Sequence, residues 1–307
     1  MNGFILKIAS AWQLVFKRSL SSWRLLSSVI LGVLLASSIM AGTVVYFDAL
    51  REVALRMTLA ELTTRQIDIL MQGDKGPTDR QEQARIGDLV NAVVADRVEW
   101  LVKERHTAIK SPTFFLAEIG NEMGAGDDDA RGYFAHLPLL DSHISITDGR
   151  KPRSNPINNP GQTLEIEAMV PVEAAQLFGM GVADRIAAIP HWDDMTPSVI
   201  VVISGLFERN EPGGEYWYLE DAVLNAATGP TFRTMPFHVS ESAYFDVLGS
   251  AFVRMDTTYA WLLSIDDDRI NASNAAETLF DFKALNSVLV STVPTYRQET
   301  NLHTSLS

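Results

Sequence analysis

Residues Leu25 to Phe47 read LLSSVILGVLLASSIMAGTVVYF, a stretch of 23 positions without one charged side chain. As a helix rising about 1.5 Å per residue it would be about 34 Å long, enough to cross a hydrocarbon core about 30 Å thick. Buried helices of soluble proteins rarely stay apolar on every face for this length. The stretch therefore predicts one transmembrane helix over residues 25–47, with the lipid bilayer as its partner.

The flanks of the apolar stretch predict its orientation. Residues 1–24 contain four basic side chains and no Asp or Glu, whereas acidic residues follow soon after Phe47. An excess of Lys and Arg marks the cytoplasmic flank. Residues 1–24 also space their apolar side chains as an amphipathic helix on the inner leaflet would. We expect a single-pass protein of the cell membrane, with a cytoplasmic N-terminus and the bulk of the chain outside.

A cleaved signal peptide is the alternative, with Ala36-Ser37-Ser38 as its small-residue cleavage site. The amphipathic segment before the apolar stretch is long for the charged region of a signal peptide, which favours an uncleaved anchor. A mature chain beginning at Ile39 would refute that anchor.

Three small residues, Ser28, Gly32 and Ala36, are spaced four apart in the apolar stretch and share one helix face. Such a face lets a second membrane helix approach closely, where packing replaces the hydrophobic effect. Small residues are also common in membrane helices in general. We favour contact with another helix, which would imply a dimer or further membrane spans.

Charge and composition restrict the function of the outer part. The net charge of the 307 residues is −13, and residues 25–307 carry 21 basic against 38 acidic side chains. Nucleic acid would be repelled, so it is not an expected partner. The chain has no cysteine, which excludes disulfides, cysteine metal sites and thiol catalysis.

Periodicity and turn signals predict an α+β fold behind the membrane helix. Residues 48–66 continue the helical pattern as a stalk. An α+β lobe would comprise residues 67–149 and 250–300, with a mostly β lobe, residues 150–249, inserted between its halves and a polar tail at 301–307. Within the first lobe, the strand near Ile67–Met71 would end in a turn at Gly73–Pro77, and Thr78 or Asp79 would cap a helix over 80–100.

The chain offers no constellation for catalysis, cofactor binding or metal binding. The six histidines are isolated, and Asp127–Asp129 and Asp266–Asp268 lack the alternation that lets carboxylates converge on calcium. No nucleophile elbow or phosphate loop is present. The aromatic segment Tyr216-Trp217-Tyr218 is a candidate partner contact, although packing in the core is favoured.

Three segments resemble one family. Residues 146–152 (ITDGRKP) are similar to the "GR-x-P" turn in the extracytoplasmic domain of FtsX-like and MacB-like ABC transporter permeases. Residues 167–186 (EAMVPVEAAQLFGMGVADRI) and 201–207 (VVISGLF) resemble the strand–helix–"LGLxVGD" segment and the "VxVVGIF" strand that follow there. The matching positions, to which the resemblance assigns structural roles, are Gly149, Arg150, Pro152, Gly179, Gly181, Asp184 and Gly205. Ala183 stands where the family usually has glycine, so a left-handed backbone is not expected there.

The resemblance implies a permease that pairs with an ABC ATPase subunit, usually dimerises, and has three further spans after its outer domain. Those spans are absent from these 307 residues, so we expect a fragment, a split permease half, or a domain of this kind that serves another function. The leading hypothesis is a non-enzymatic permease component whose outer domain moves as the ATPase cycles. The alternatives are a single-span receptor or sensor ectodomain and a surface hydrolase. No group of potential catalytic residues in the sequence supports the hydrolase.

Overall fold

The structure, a computed structural model, describes residues 23–122, 130–153, 164–192, 198–221, 233–302 and 306. The predicted amphipathic helix of residues 1–24 lies outside the described residues except for its last two positions, and so does the acidic turn Asp127–Asp129. Contacts divide the chain into two units at Thr58, and Leu59–Ser307 forms the second of them.

Helices near residues 80–97, 172–178 and 275–292 lie where the sequence predicts them, whereas the short helices at 64–67 and 249–251 have no predicted counterpart. The described helices are α1 (Trp23–Ala60), α2 (Thr64–Ile67), α3 (Arg80–Arg97), α4 (Val172–Phe178), α5 (Gly249–Ala251) and α6 (Ala275–Thr292).

The described strands are β1 (Ile69–Pro77), β2 (Val102–Lys110), β3 (Phe114–Ala117), β4 (Ala130–His136), β5 (Ile144–Gly149), β6 (Glu165–Pro171), β7 (Arg185–Pro190), β8 (Val199–Arg209), β9 (Arg233–His238), β10 (Asp256–Ile265) and β11 (Tyr296–Glu299). The predicted α+β class, with a long apolar helix before a β-rich domain, is confirmed.

Helix α1 contains the predicted membrane segment and is the one described helix long and apolar enough to cross a bilayer. Its described side chains from Ser27 to Arg51 are all exposed. The helix ends at Ala60, before the predicted end of the stalk at residue 66. A break at residues 61–63 follows, and Thr63 then begins α2 by donating its N–H to Gln66 Oε1 at 2.9 Å.

Six strands of the second unit close into a small barrel. Strands β4, β3, β7, β8 and β6 are neighbours in that order, and β9 pairs with both β6 and β4. Inside it the rings of Phe114 and Phe134 lie 5.0 Å apart, and those of Phe134 and Phe237 lie 5.5 Å apart. Strand β5 pairs with the second half of β8.

The remaining strands extend the same sheet in the order β11-β1-β10-β2, and β2 joins it to β4. Helices α3 and α6 pack against each other along buried apolar stripes, Ile86, Val90, Val94 on α3 and Phe282, Leu285, Leu289 on α6. Of the two predicted cap residues, Asp79 caps α3, because its side chain accepts from Glu82 N at 2.9 Å. Strands from both predicted lobes, residues 67–149 with 250–300 and residues 150–249, belong to this one sheet. The division into two lobes stays a prediction.

The turn predicted at Gly73–Pro77 is wrong, because these residues belong to β1. Gly73 and Gly76 pair with β10 on either side of a bulge, with Lys75 at φ 58°. A Cβ on Gly73 would lie 2.6 Å from Val293 Cγ1, and one on Gly76 would lie 2.3 Å from the Tyr259 ring. Glycine is required here by close packing within a strand.

Candidate functional site

The family-like segments meet at one place, which we call the motif junction: residues 149–153, Glu167, residues 181–184, and Ser204 with Gly205. Gly149 has φ 75°, and a Cβ there would lie 2.4 Å from Ser204 O. A Cβ on Gly205 would lie 2.6 Å from Arg150 O, while Arg150 N donates to Ser204 O at 2.8 Å. Only glycine at 149 and 205 permits this approach of two backbones.

A bidentate ion pair ties the first segment to β6. Arg150 Nη1 donates to Glu167 Oε2 at 2.7 Å and Nη2 donates to Oε1 at 2.6 Å. Arg153 N adds a bond to the same carboxylate at 2.9 Å. The hydrogen bonds from Arg150 hold the pKa of Glu167 below its ordinary value. The turn after β5 is thereby held against the barrel.

The segment after α4 completes the motif junction. Gly181 N donates to Asp184 Oδ2 at 2.7 Å, which closes the turn, and Ala183 N donates to Ile203 O at 2.8 Å. Ile203 N in turn donates to Asp184 O at 3.0 Å. Ala183 has φ 70°, so the expectation that the backbone is not left-handed at this position is wrong. The two bonds to β8 that flank Ala183 hold it in that conformation.

Of the other predicted site residues, Pro152 belongs to the motif junction, whereas Gly179, Ser28, Gly32 and Ala36 are not among its residues. Gly179 ends α4 in a left-handed conformation with φ 65°. Pro152 is half-buried beside the Arg150 turn. Ser28, Gly32 and Ala36 are exposed on α1, and a Cβ on Gly32 would meet nothing within 4 Å. Their predicted role in helix packing stays a prediction.

The aromatic segment lies in the core. Tyr216 and Trp217 form a 3-10 turn with Glu215 and are 7% and 1% exposed. The Tyr216 hydroxyl donates to Pro138 O at 3.0 Å, and Trp217 Nε1 donates to Asn210 O at 2.9 Å. These two residues are buried, which agrees with the favoured packing in the core and not with the candidate partner contact. Tyr218 is half-buried, with the Arg65 guanidinium 5.1 Å from its ring centroid.

A buried network of charged side chains lies next to this segment, and the sequence analysis did not predict it. Glu220 is fully buried, with Oε1 3.1 Å from His238 Nε2 and Oε2 3.0 Å from Arg209 Nη2. Arg209 also donates to Asp221 at 2.9 Å and lies over the Trp217 ring. Burial by itself would raise the pKa of Glu220, but the attraction of His238 and Arg209 outweighs it, so its pKa lies below the ordinary value.

This network ties β8 and β9 to the aromatic segment, and Arg209 pairs with both of its carboxylates, Glu220 and Asp221. The only sequence signal was a histidine within an apolar strand, which is more often a core residue than a reacting one. Across the described ranges, no three His, Asp or Glu side chains are grouped so that they could hold a metal ion. The motif junction and this network therefore consist of hydrogen bonds and ion pairs that hold strands together.

Among known proteins, similarity to this chain is found in solved structures. No protein-family model and no curated protein matches this chain. Among the solved structures that are similar to it are the following two. One is the periplasmic region of MacB from Actinobacillus actinomycetemcomitans, with 12% identity, a TM-score of 0.28, and coverage of 78% of this chain and 92% of that one.

The other is a domain of a "putative Permease protein" from Porphyromonas gingivalis. It has 11% identity and a TM-score of 0.30, and the match covers 76% of this chain and 90% of that one. Both structures are of the kind that the three sequence motifs resemble.

Proposed function

We propose that this chain is the permease component of an ABC-type membrane transport or mechanotransmission complex, whose outer domain moves in response to a separate ATPase. The motif junction carries the proposal. Three segments that resemble FtsX-like and MacB-like permeases, residues 146–152, 167–186 and 201–207, meet there through contacts that require Gly149 and Gly205. The residues that carry the resemblance are thus the ones that make the close backbone contacts of the motif junction.

Helix α1 supplies the membrane anchor in this proposal. Its uncharged 23 residues would lie in the bilayer, and the basic residues before them would keep the N-terminus in the cytoplasm. The acidic domain from residue 59 onward would then be extracytoplasmic. The small-residue face of α1 would contact a second permease helix or a second copy.

The two ends of the outer domain support the same plan. Asn301 N donates to Gln66 O at 2.9 Å, Thr300 Oγ1 donates to Ile67 O at 3.3 Å, and β11 pairs with β1. A domain inserted between two membrane helices needs its entry and exit side by side. Movement of such paired ends would be transmitted to the sheet through β1 and β11.

Copurification tests the ATPase partnership. The full chain, tagged and extracted from its native membrane in mild detergent, should bring down an ABC ATPase subunit. An unrelated single-span protein with the same tag is the control. A chain that recovers no ATPase above this control would contradict the proposed complex.

Cysteine labelling tests the orientation, since the chain has no cysteine of its own. A membrane-impermeant maleimide should label Ser250→Cys, an exposed position of the outer domain, in intact cells or spheroplasts. Ser10→Cys, before the apolar stretch, should react only after permeabilisation. The reverse pattern would place the domain inside the cell and end the proposal.

A further inference from the structure

A cavity of about 170 Å³ lies on the face of the sheet formed by β2 and β10, where α3 and the π-helical turn Ala243–Leu248 leave a gap. It shares no residue with the motif junction. Its lining includes the aromatic side chains of Phe245, Tyr259 and Trp261 and the polar side chains of Gln83, His136 and Glu241.

The aromatic wall is rigid. Tyr259 and Trp261 are two residues apart on β10, so they share a face, and their ring centroids lie 6.2 Å apart at 55°. These two rings and Phe245 are each at most 7% exposed. Aromatic faces carry partial negative charge and attract cations, most strongly where water is scarce.

His136 presents a hydrogen-bond acceptor to the cavity. Its Nδ1 lies 3.1 Å from Val239 O, and a carbonyl can only accept, so Nδ1 carries the proton and Nε2 keeps its lone pair. Burial lowers the pKa of His136, which keeps the ring neutral near pH 7. The acceptor at Nε2 suits a ligand that carries an N–H donor.

Charge at the rim favours a cation. Arg80 Nη1 donates to Glu241 Oε1 at 2.8 Å, and its Nη2 donates to Asp246 Oδ2 at 3.0 Å. One guanidinium thus serves two carboxylates, so the group keeps a net negative charge. Glu241, which lines the cavity, is the carboxylate that a ligand would meet.

We propose that this cavity binds a small organic amine, an ammonium group on a compact apolar body. The ammonium would donate to His136 Nε2 and to the Glu241 carboxylate, while the apolar body packs on Phe245, Tyr259 and Trp261. This site stands independently of the permease function proposed above.

Paired probes test the charge requirement. The full chain in detergent micelles is titrated with phenethylamine and with 2-phenylethanol, which has the same ring and chain length but no charge, and binding is followed by ligand-observed NMR. Phenethylamine should bind at least about fivefold more tightly, and Glu241→Gln should remove about fivefold of its affinity. Equal affinity for both probes would overturn the proposal.

A matched pair of variants tests the location. Gln83→Trp places an indole in the cavity mouth and should weaken phenethylamine binding more than tenfold. Gln81→Trp puts the same side chain on an exposed, outward position of α3 and should leave binding unchanged. Retained binding in a Gln83→Trp protein with an unchanged circular dichroism melting curve would overturn the site. If that variant does not fold, Thr107→Trp on β2, which lines the same cavity, replaces it.

Discussion

Ala183 is a strained residue on the surface of the motif junction. Its φ of 70° costs an alanine about 1–2 kcal/mol, and its side chain is exposed. We expect Ala183→Gly to raise the free energy of unfolding by about 0.5–1 kcal/mol, because the relieved strain exceeds the entropy that glycine adds to the unfolded chain. Urea unfolding of the full chain in detergent, followed by tryptophan fluorescence, measures the change.

The same substitution in a helix provides the control. Ala84 is exposed in the interior of α3, where glycine costs about 1 kcal/mol. Ala84→Gly should therefore lower stability while Ala183→Gly raises it. Loss of stability in both variants would show that Ala183 carries no strain.

Asp68 is a buried carboxyl group with an incomplete set of hydrogen bonds. It is 1% exposed, Oδ1 accepts from Ile265 N at 3.1 Å, and Oδ2 has no partner among the described residues. Burial raises the pKa of Asp68 to about 6, from 3.8. The folded state therefore holds this proton more tightly, and its stability is full below about pH 4 and falls as the pH rises through 6.

From this we expect Asp68→Asn to stabilise the protein by about 1–3 kcal/mol at pH 7.5 and to change little at pH 4. Asp88→Asn, at an exposed position of α3, is the control and should have no such pH dependence. Urea midpoints at the two pH values provide the measurement. A gain at pH 4 as large as that at pH 7.5 would exclude ionisation of Asp68 as the cause.

Among the elements, β1 depends on close packing of its glycines. A Cβ on Gly76 would lie 2.3 Å from the Tyr259 ring, which is buried and whose hydroxyl donates to Pro77 O. We expect Gly76→Ala to cost about 1–3 kcal/mol through overpacking. Thermal unfolding followed by circular dichroism tests this.

Gly87 is the matched control for that measurement. It lies in the interior of α3, and a Cβ there would meet nothing within 4 Å. Gly87→Ala should stabilise the protein by about 0.5–1 kcal/mol. If both substitutions moved the melting temperature in the same direction, the packing argument for β1 would fail.

Helices were easier to locate than the ends of strands. Helix α3 was readable because its apolar stripe and its Asp79 cap lie within one segment of the chain. The strand predicted near Ile67–Met71 is shorter than β1, because glycine and proline usually mark turns. The partners that make Gly73 and Gly76 strand residues, Val293 and Tyr259, come from the other end of the sequence.

At the scale of the whole molecule, the continuous sheet predicts that residues 59–307 unfold as one cooperative unit. Gly132 lies on β4 in the barrel, where a Cβ would be 2.6 Å from Phe237 and 2.9 Å from Leu116. Gly132→Val should cost about 1–3 kcal/mol. Because β2 and β4 join the barrel to the rest of the sheet, hydrogen exchange should speed up in α6 as much as in β8.

Gly213→Ala, an exposed position with nothing within 4 Å of its Cβ, is the control and should leave exchange unchanged. Faster exchange confined to the barrel strands would contradict the single unit. It would favour the two separate lobes, 67–149 with 250–300 and 150–249, that the turn signals predict.

The sequence by itself determined the apolar helix, the α+β class and the segments that resemble a permease, because each is written in neighbouring residues. Tertiary structure alone decided the closure of the barrel, the convergence of the motifs and the Arg209–Glu220–His238 network. These features join residues that belong to different strands and loops. Periodicity reports which face of one element is apolar, but it does not report which other element covers that face.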